Sequence, residues 1–231
     1  MNPEQFTEKM KKIYGDDLLS VVLYGSAVGG DFHKCHSDFN LMIILKDISA
    51  SSLEKSARLC QRWNWRNPIP LFVSREHLKT SSDVFPIEFF DMKEQHKVLH
   101  GYDPLQGLEI HPTHLRLQCE SELKGKLIAL RSEWIRLYPS KRRGRKLILH
   151  SSSSFFAIFR GLLRVLGETV PATKREVLKK LNAKTEFDTA VFEKILDILE
   201  GTKKLSRSEV LPMMESYLTT LERVATFVDK L

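Results

Sequence analysis

The chain has 231 residues, a formal charge of +7 and an ordinary hydrophobic fraction of 42%. No apolar run approaches the roughly 20 residues that a membrane helix needs, and the polar first residues are unlike a secretory signal. The three cysteines lie far apart without CxxC spacing, which argues against a disulfide framework or a cysteine zinc site. We therefore expect a soluble, cytoplasmic protein with one large or two small domains.

Strand and helix patterns alternate through the first hundred residues. An opening helix is predicted with Asn2 as its cap, Pro3 in its first turn, and an apolar stripe of Phe6, Met10 and Ile13. A second helix, capped by Ser51 or Ser52, should lie between the second and third strands. Runs rich in β-branched, aromatic or leucine residues predict four strands, at residues 18–24, 39–45, 69–73 and 84–90.

The rest of the chain has only helical periodicity. We predict a long amphipathic helix, then a more apolar one, then three more, at residues 113–138, 147–166, 173–181, 187–199 and 206–231. The change in pattern predicts an α+β fold, with a domain of strands and helices at residues 1–108 and an all-α helical bundle at residues 109–231.

A basic run at residues 141–146 separates the first two of these helices. Such runs are usually solvated surface loops, and we expect one here. The alternatives are a contact with nucleic acid, with the phosphates of a nucleotide or with another anionic partner.

Residues 21–45 contain the most informative motif. A buried strand is followed by Gly25 and Ser26, then by a polar excursion, and then by a second strand that begins around Asp38 and Asn40. Gly25 allows a sharp turn and a close approach to a ligand, while Ser26 offers a hydroxyl and amides to phosphate oxygens. Side chains two apart on a strand point to the same side, so Asp38 and Asn40 can share one metal ion.

This segment resembles the nucleotidyltransferase superfamily that includes DNA polymerase β, the aminoglycoside nucleotidyltransferases and the small MNT proteins. Their pattern is Gly-Ser, then Asp-x-Asp on the next strand, then a third carboxylate on a later strand. Gly25-Ser26 and Asp38-Phe39-Asn40 occupy the first two places. The resemblance implies a mixed sheet with flanking helices, a nucleoside triphosphate bound with Mg²⁺, and transfer of a nucleoside monophosphate to an acceptor hydroxyl.

Glu88 is interpreted as the third carboxylate, because a carboxylate inside so apolar a predicted strand needs a partner such as a metal. Asp91 is the alternative. The predicted site therefore has Gly25 and Ser26 binding phosphate, Asp38 and Glu88 in catalysis, and a metal set of Asp38, Asn40 and Glu88.

Asn40 stands where the resemblance leads one to expect a second aspartate. Mg²⁺ prefers anionic oxygen, and two-metal phosphoryl transfer uses carboxylates to hold both ions. Two hypotheses follow: a nucleotidyltransferase with an unidentified acceptor, or a nucleotide-binding sensor or antitoxin-like module without turnover. The net basic charge favours an anionic or nucleotide-like acceptor, or none, over a polycationic antibiotic.

Three other groups of residues suggest weaker hypotheses. A crowded trio could be imagined as a zinc site but is better explained as a surface loop: His33, Cys35 and His36. Trp63 and Trp65 could stack on a base or pack a helix end on the sheet. Arg145 and His150 match the Arg-x4-His pattern of the HEPN ribonuclease fold, a spacing that chance readily produces.

Overall fold

The computed structural model describes residues 1–28, 38–65, 67–185 and 187–231. The chain divides into two compact units, Met1–Ile110 and His111–Leu231. The first contains a sheet with helices, and the described residues of the second are helical or irregular, so the α+β prediction is confirmed. Among the described residues, no helix combines the length and apolarity needed to cross a membrane.

The sheet of the first unit has four strands in the order β3-β2-β1-β4. Their bounds are Leu18–Tyr24 for β1, Asn40–Leu45 for β2, Leu71–Ser74 for β3 and His96–Gly101 for β4. Strand β1 runs antiparallel to both β2 and β4, whereas β2 and β3 are parallel. The C-terminal end of β1 therefore lies beside the N-terminal ends of β2 and β4.

Among the described residues of this unit, five α-helices accompany the sheet: α1 at Pro3–Tyr14, α2 at Ala50–Glu54, α3 at Ala57–Trp63, α4 at Arg75–Thr80 and α5 at Pro86–Glu94. Alternate strand residues face opposite sides of the sheet. One side, with Val21, Leu41 and Ile43, packs on residues of α1 and α3. The other side, with Val22, Met42 and Ile44, packs on Leu78 of α4 and on Phe89 and Met92 of α5.

The local signals at the start of the chain are confirmed. Asn2 and Gln5 form a reciprocal capping box at the start of α1, and Phe6 and Met10 are fully buried. The first two predicted strands agree with β1 and β2 to within one residue, and the third with β3 to within two.

The fourth predicted strand, at residues 84–90, is wrong. Pro86 opens α5 instead, at the first helical position, where its missing N–H costs nothing. The run appears strand-like because it is apolar: Ile87 is buried, and Phe89 and Met92 pack against the sheet. The fourth strand of the sheet is instead β4, which pairs with the edge of β1 opposite β2. Its polar sequence HKVLHG gives little strand signal.

In the second unit, the described ranges 111–185 and 187–231 form five helices: α6 at Pro112–Leu137, α7 at Lys141–Val165, α8 at Lys174–Lys184, α9 at Ala190–Leu199 and α10 at Val210–Asp229. Its core is rich in aromatic rings that meet edge to face: Phe155, Phe156, Phe159, Phe192 and Tyr217. Buried Leu, Ile and Val residues from all five helices complete this core.

The predicted basic loop at residues 141–146 is also wrong, because these residues form the first turns of α7. Ser140 caps the helix by accepting a hydrogen bond from the Arg143 N–H at 3.4 Å. Gly144 suggests a break in the sequence but is buried inside the helix. A β-carbon there would lie 2.6 Å from Cζ3 of Trp134, so the glycine permits close packing of α7 on α6.

Candidate functional site

Gly25 forms the turn at the end of β1. Its φ of +80° lies in the left-handed region that glycine adopts without strain. Its N–H donates to the carbonyl of Gln95 at 2.9 Å, and its carbonyl accepts from Val28 at 2.9 Å to close a 3₁₀ turn over Gly25–Ala27. The first amides of a helical turn have no acceptor within the turn, which suits an anionic ligand. Ser26 is the second residue of this turn, and its role in phosphate binding stays a prediction.

Asn40 lies directly beside this glycine. It pairs with Tyr24 across the β1–β2 ladder, one residue before the turn. A β-carbon on Gly25 would lie 3.3 Å from Nδ2 of Asn40, closer than most real contacts of that kind. The structure thus brings together Gly25 and Asn40, and the lack of a side chain at Gly25 leaves room for the amide.

Asp38 precedes β2 and is exposed to solvent. The backbone beside it is held in place, because the Phe39 N–H donates to Oδ1 of Asn67 at 3.1 Å. The Phe39 ring lies 6.3 Å from the buried ring of Trp63. An exposed carboxylate on an anchored segment is accessible to a ligand, and its carboxylate and the Asn40 amide oxygen are both hard oxygen donors of the type that Mg²⁺ prefers.

A third residue, His96, shares this end of the sheet. It pairs with Tyr24 from the β4 side, so that Asn40, Tyr24 and His96 form one row across three strands. Its Nε2 lies 3.1 Å from Oδ2 of Asp103 and its Nδ1 lies 3.1 Å from the carbonyl oxygen of Lys93. Both partners are hydrogen-bond acceptors, and each ring nitrogen donates to the one it faces when it carries a proton.

Burial raises the pKa of the Tyr24 hydroxyl above its usual range, which keeps this residue neutral at physiological pH. Sequence reasoning missed the pairing of His96 with Asp103. The two residues meet because of the register of β4, and that strand has no clear signal in the sequence.

Glu88 lies on α5 and not on a strand, and its side chain is exposed. Because Glu88 lies on a helix, the choice of a third carboxylate depends on where this helix lies relative to the turn. Helix α5 covers the face of the sheet that carries Met42 and, by alternation, Asn40. Asp91 follows Glu88 by three residues, so both lie on one side of this helix. Asp91, the alternative carboxylate, therefore also lies on a helix and not on a strand.

The C-terminal end of α5 adjoins the turn, because the residue after the helix, Gln95, accepts the Gly25 N–H. Asp91 lies four residues before Gln95, about 6 Å along the axis, whereas Glu88 lies about 10 Å from it. The roles of both carboxylates stay predictions. Among the described residues, no three His, Cys, Asp or Glu side chains are close enough together to hold a metal ion.

The weaker sequence hypotheses have separate outcomes. His33, Cys35 and His36 lie outside the described residues. Trp63 is structural: its ring is buried against Phe6, with centroids 4.8 Å apart, and its Nε1 donates to the Pro68 carbonyl at 3.0 Å. Trp65, in contrast, is 87% exposed.

Comparisons with known proteins relate the chain to others by fold. No protein-family model matches the sequence, and no curated protein matches it significantly. A spectinomycin adenyltransferase from Enterococcus faecialis, solved with ATP and spectinomycin, is similar in structure, with a TM-score of 0.55 and 14% sequence identity. The match covers 96% of this chain and 100% of that one. The likeness confirms a nucleotidyltransferase-like fold.

Proposed function

We propose that the chain binds a nucleoside triphosphate together with Mg²⁺ at the Gly25 turn and transfers the nucleoside monophosphate to an acceptor hydroxyl. The observation that carries this proposal is the contact of Asn40 with Gly25, beside the exposed carboxylate of Asp38. Because the Gly25 N–H already donates to Gln95, phosphate oxygens would contact the amides of Ser26 and Ala27 and the Ser26 hydroxyl. Asp38 and Asn40 would hold one ion jointly with the phosphates.

In the transfer, the acceptor oxygen forms a bond to the α-phosphorus while the bond from that phosphorus to the pyrophosphate oxygen breaks. The acceptor proton passes to a carboxylate of α5, Asp91 or Glu88. A bound Mg²⁺ would supply charge neutralisation for the phosphates. The fold of the spectinomycin adenyltransferase supports the reaction class, and the acceptor of this chain remains to be identified by assay.

Calorimetry with ATP, GTP, CTP and UTP, with and without Mg²⁺, tests the binding step. We expect heat that depends on the metal for at least one nucleotide, and its loss in Asp38→Ala. Asp16→Ala is the matched control, since Asp16 is an exposed acid at the opposite end of β1, on the order of 25 Å from the turn. Absence of binding for all four nucleotides, or full binding by Asp38→Ala, would contradict the proposal.

A second function is favoured by Asn40 itself. Asparagine removes one negative charge from the metal set that the superfamily pattern uses, which suits a nucleotide-binding sensor without turnover. Incubation with α-labelled nucleotide and a panel of hydroxyl acceptors, spectinomycin included, separates the two functions. Label transfer by the parent chain would establish the transferase. Transfer only by Asn40→Asp would establish the sensor and would show that a single carboxylate had been lost.

A further inference from the structure

The beginning of α7 carries a dense group of positive charges. Five of the first six residues of this helix are cationic, namely Lys141, Arg142, Arg143, Arg145 and Lys146, which we call the basic end of α7. The sixth, Gly144, is the buried residue. Arg142, Arg143 and Lys146 are exposed, and the other two cations are partly exposed. All five charges are therefore on the solvent side of the first two turns.

These charges are not neutralised by the protein. None of the five makes an ion pair with any residue in the described ranges. Ten other cations of the same unit do pair with carboxylates: Arg116, Lys124, Lys126, Arg131, Arg136, Arg175, Lys180, Lys184, Lys194 and Lys203. The positive end of the helix macrodipole adds to the repulsion among the five. The arrangement costs stability and creates a strong positive potential.

Nearby acids do not offset this potential. Val210 lies beside the basic end, since a β-carbon on Gly144 would lie 3.3 Å from its Cγ1. The carboxylate one residue earlier, Glu209, already accepts hydrogen bonds from Ser206 and Lys194, which lower its pKa to about 2. Arg207, which is exposed, adds a further cation just before α10.

Exposed aromatic and apolar side chains lie next to the charges. Tyr138, three residues before Lys141, is 76% exposed, and Ile135 is 74% exposed. The packing of Gly144 on Trp134 holds the end of α6 against the start of α7, and a shallow depression between them is lined by Trp134, Tyr138 and Lys141 among others. A cationic surface beside an exposed aromatic ring suits a strand of phosphates with unpaired bases, which can stack.

We propose that the basic end of α7, with Tyr138, binds single-stranded nucleic acid. The three exposed cations, Arg142, Arg143 and Lys146, contact backbone phosphates, and the Tyr138 ring stacks on a base. The basic end includes Arg145 but does not use the HEPN-like pair, because Arg145 and His150 are five residues apart on one helix, about 140° round its axis, and do not share a face. Charge complementarity selects the partner class, since the uncompensated charges are all of one sign.

Fluorescence anisotropy with labelled 20-mers of oligo(U) and oligo(dT), measured between 50 and 300 mM salt, tests this surface. We expect the affinity for both to fall with a slope of log K against log salt of about −2, from three exposed cations at roughly 0.7 each. Lack of binding at 50 mM salt would overturn the proposal. Preference for oligo(U) would identify RNA as the natural partner, and preference for oligo(dT) DNA; both support the surface.

The decisive variant is Arg142→Gln, Arg143→Gln and Lys146→Gln, for which we expect at least a tenfold loss of affinity at 100 mM salt and a slope near zero. The matched control removes three other exposed cations and should bind within twofold of the parent: Lys179→Gln, Arg223→Gln and Lys230→Gln. Two of these control residues are distant from the basic end of α7. Along the axis of α10, Arg223 lies about 20 Å from Val210, and Lys230, just after the helix, lies about 30 Å from it. Equal losses of affinity in the two variants would overturn the proposal, because binding would then depend on the net charge of the protein and not on the basic end of α7.

Tyr138→Ala separates a stacking site from a simple polyanion site. We expect about a tenfold loss with single strands and an unchanged salt slope, since no phosphate contact is removed. A blunt 20-base-pair duplex should bind more weakly than either single strand. Equal binding of duplex and single strand, together with no effect of Tyr138→Ala, would overturn the assignment. Circular dichroism confirms that each variant is folded.

Discussion

The two units of the chain differ in charge and in how each forms its candidate surface. Residues 1–110 contain 13 Lys and Arg against 15 Asp and Glu, whereas residues 111–231 contain 23 against 14, which together give the chain totals of 36 and 29. The excess positive charge therefore lies entirely in the helical unit. The sheet unit instead has a turn beside one amide and one carboxylate.

A single glycine is central to each surface, for a different physical reason. Gly25 is required because its φ of +80° would strain another residue, and because a side chain there would crowd the Asn40 amide. Gly144 has ordinary helical geometry and is required because the Trp134 ring occupies the space of a side chain. A side chain at Gly25 would therefore strain the backbone, whereas a side chain at Gly144 would clash with a neighbouring ring. Substitutions at matched glycines can test whether this distinction holds.

Gly144→Ala should have the largest effect on stability. The added β-carbon meets a ring that cannot swing aside freely, and overpacking of this kind costs roughly 1–3 kcal/mol. The free energy of unfolding from urea titration measures it. Gly125→Ala, in the middle of α6 with nothing within 4 Å, should instead stabilise by about 0.5–1 kcal/mol through helix propensity. Stabilisation by both would mean that the Trp134 contact relaxes easily.

Gly25→Ala should cost about 1–2 kcal/mol, because an L-residue is strained in the left-handed region. Its β-carbon also approaches Asn40, so we expect nucleotide binding to be lost. Gly107→Ala is the control: its φ is +74° and nothing lies within 4 Å, so strain should be similar while nucleotide affinity is kept. Equal nucleotide affinity in the two variants would argue against a site at Gly25.

The smallest expected effect is a loss of folding stability at low pH. In the part of the chain that the structure describes, hydrogen bonds from neighbouring side chains lower the pKa of six carboxyls in the helical unit, against two in the sheet unit: Glu133, Glu168, Glu176, Asp197, Glu209 and Asp229, against Glu8 and Asp47. A carboxyl whose pKa is lower in the folded state than in the unfolded state, where it is near 4.3, stabilises the fold at pH values above the unfolded pKa. This stabilisation is lost as the pH falls through the folded pKa. The helical unit should therefore lose more stability between about pH 5 and pH 2.

Tryptophan fluorescence distinguishes the units in this titration. Trp134→Phe leaves Trp63 and Trp65 as reporters of the sheet unit, and the double variant Trp63→Phe, Trp65→Phe leaves Trp134 alone. All eight carboxyls are at the surface, so the shift in urea midpoint should be modest and should shrink in high salt. A larger acid shift in the sheet unit would contradict the expected difference.

Several features follow from the sequence because their causes are local. Helix α1 has its capping box and apolar stripe within one segment, and β1 and β2 are continuous apolar runs. Gly25 marks a turn whose conformation depends on the residue itself. Such signals need no knowledge of distant partners, whereas the nucleotidyltransferase-like fold is expected from the resemblance of residues 21–45 to that superfamily.

Other features depend on contacts between distant segments, and only the tertiary structure decides them. Burial on the sheet makes residues 84–90 apolar, and the same pattern would suit a strand or a helix. Strand β4 is half-buried and polar, and it forms because β1 offers it a ladder. Gly144 lies inside a helix because Trp134 packs against it, and His96 meets Asp103 through strand register. Composition and periodicity report how much of a segment is buried, whereas the partner that buries it depends on the whole fold.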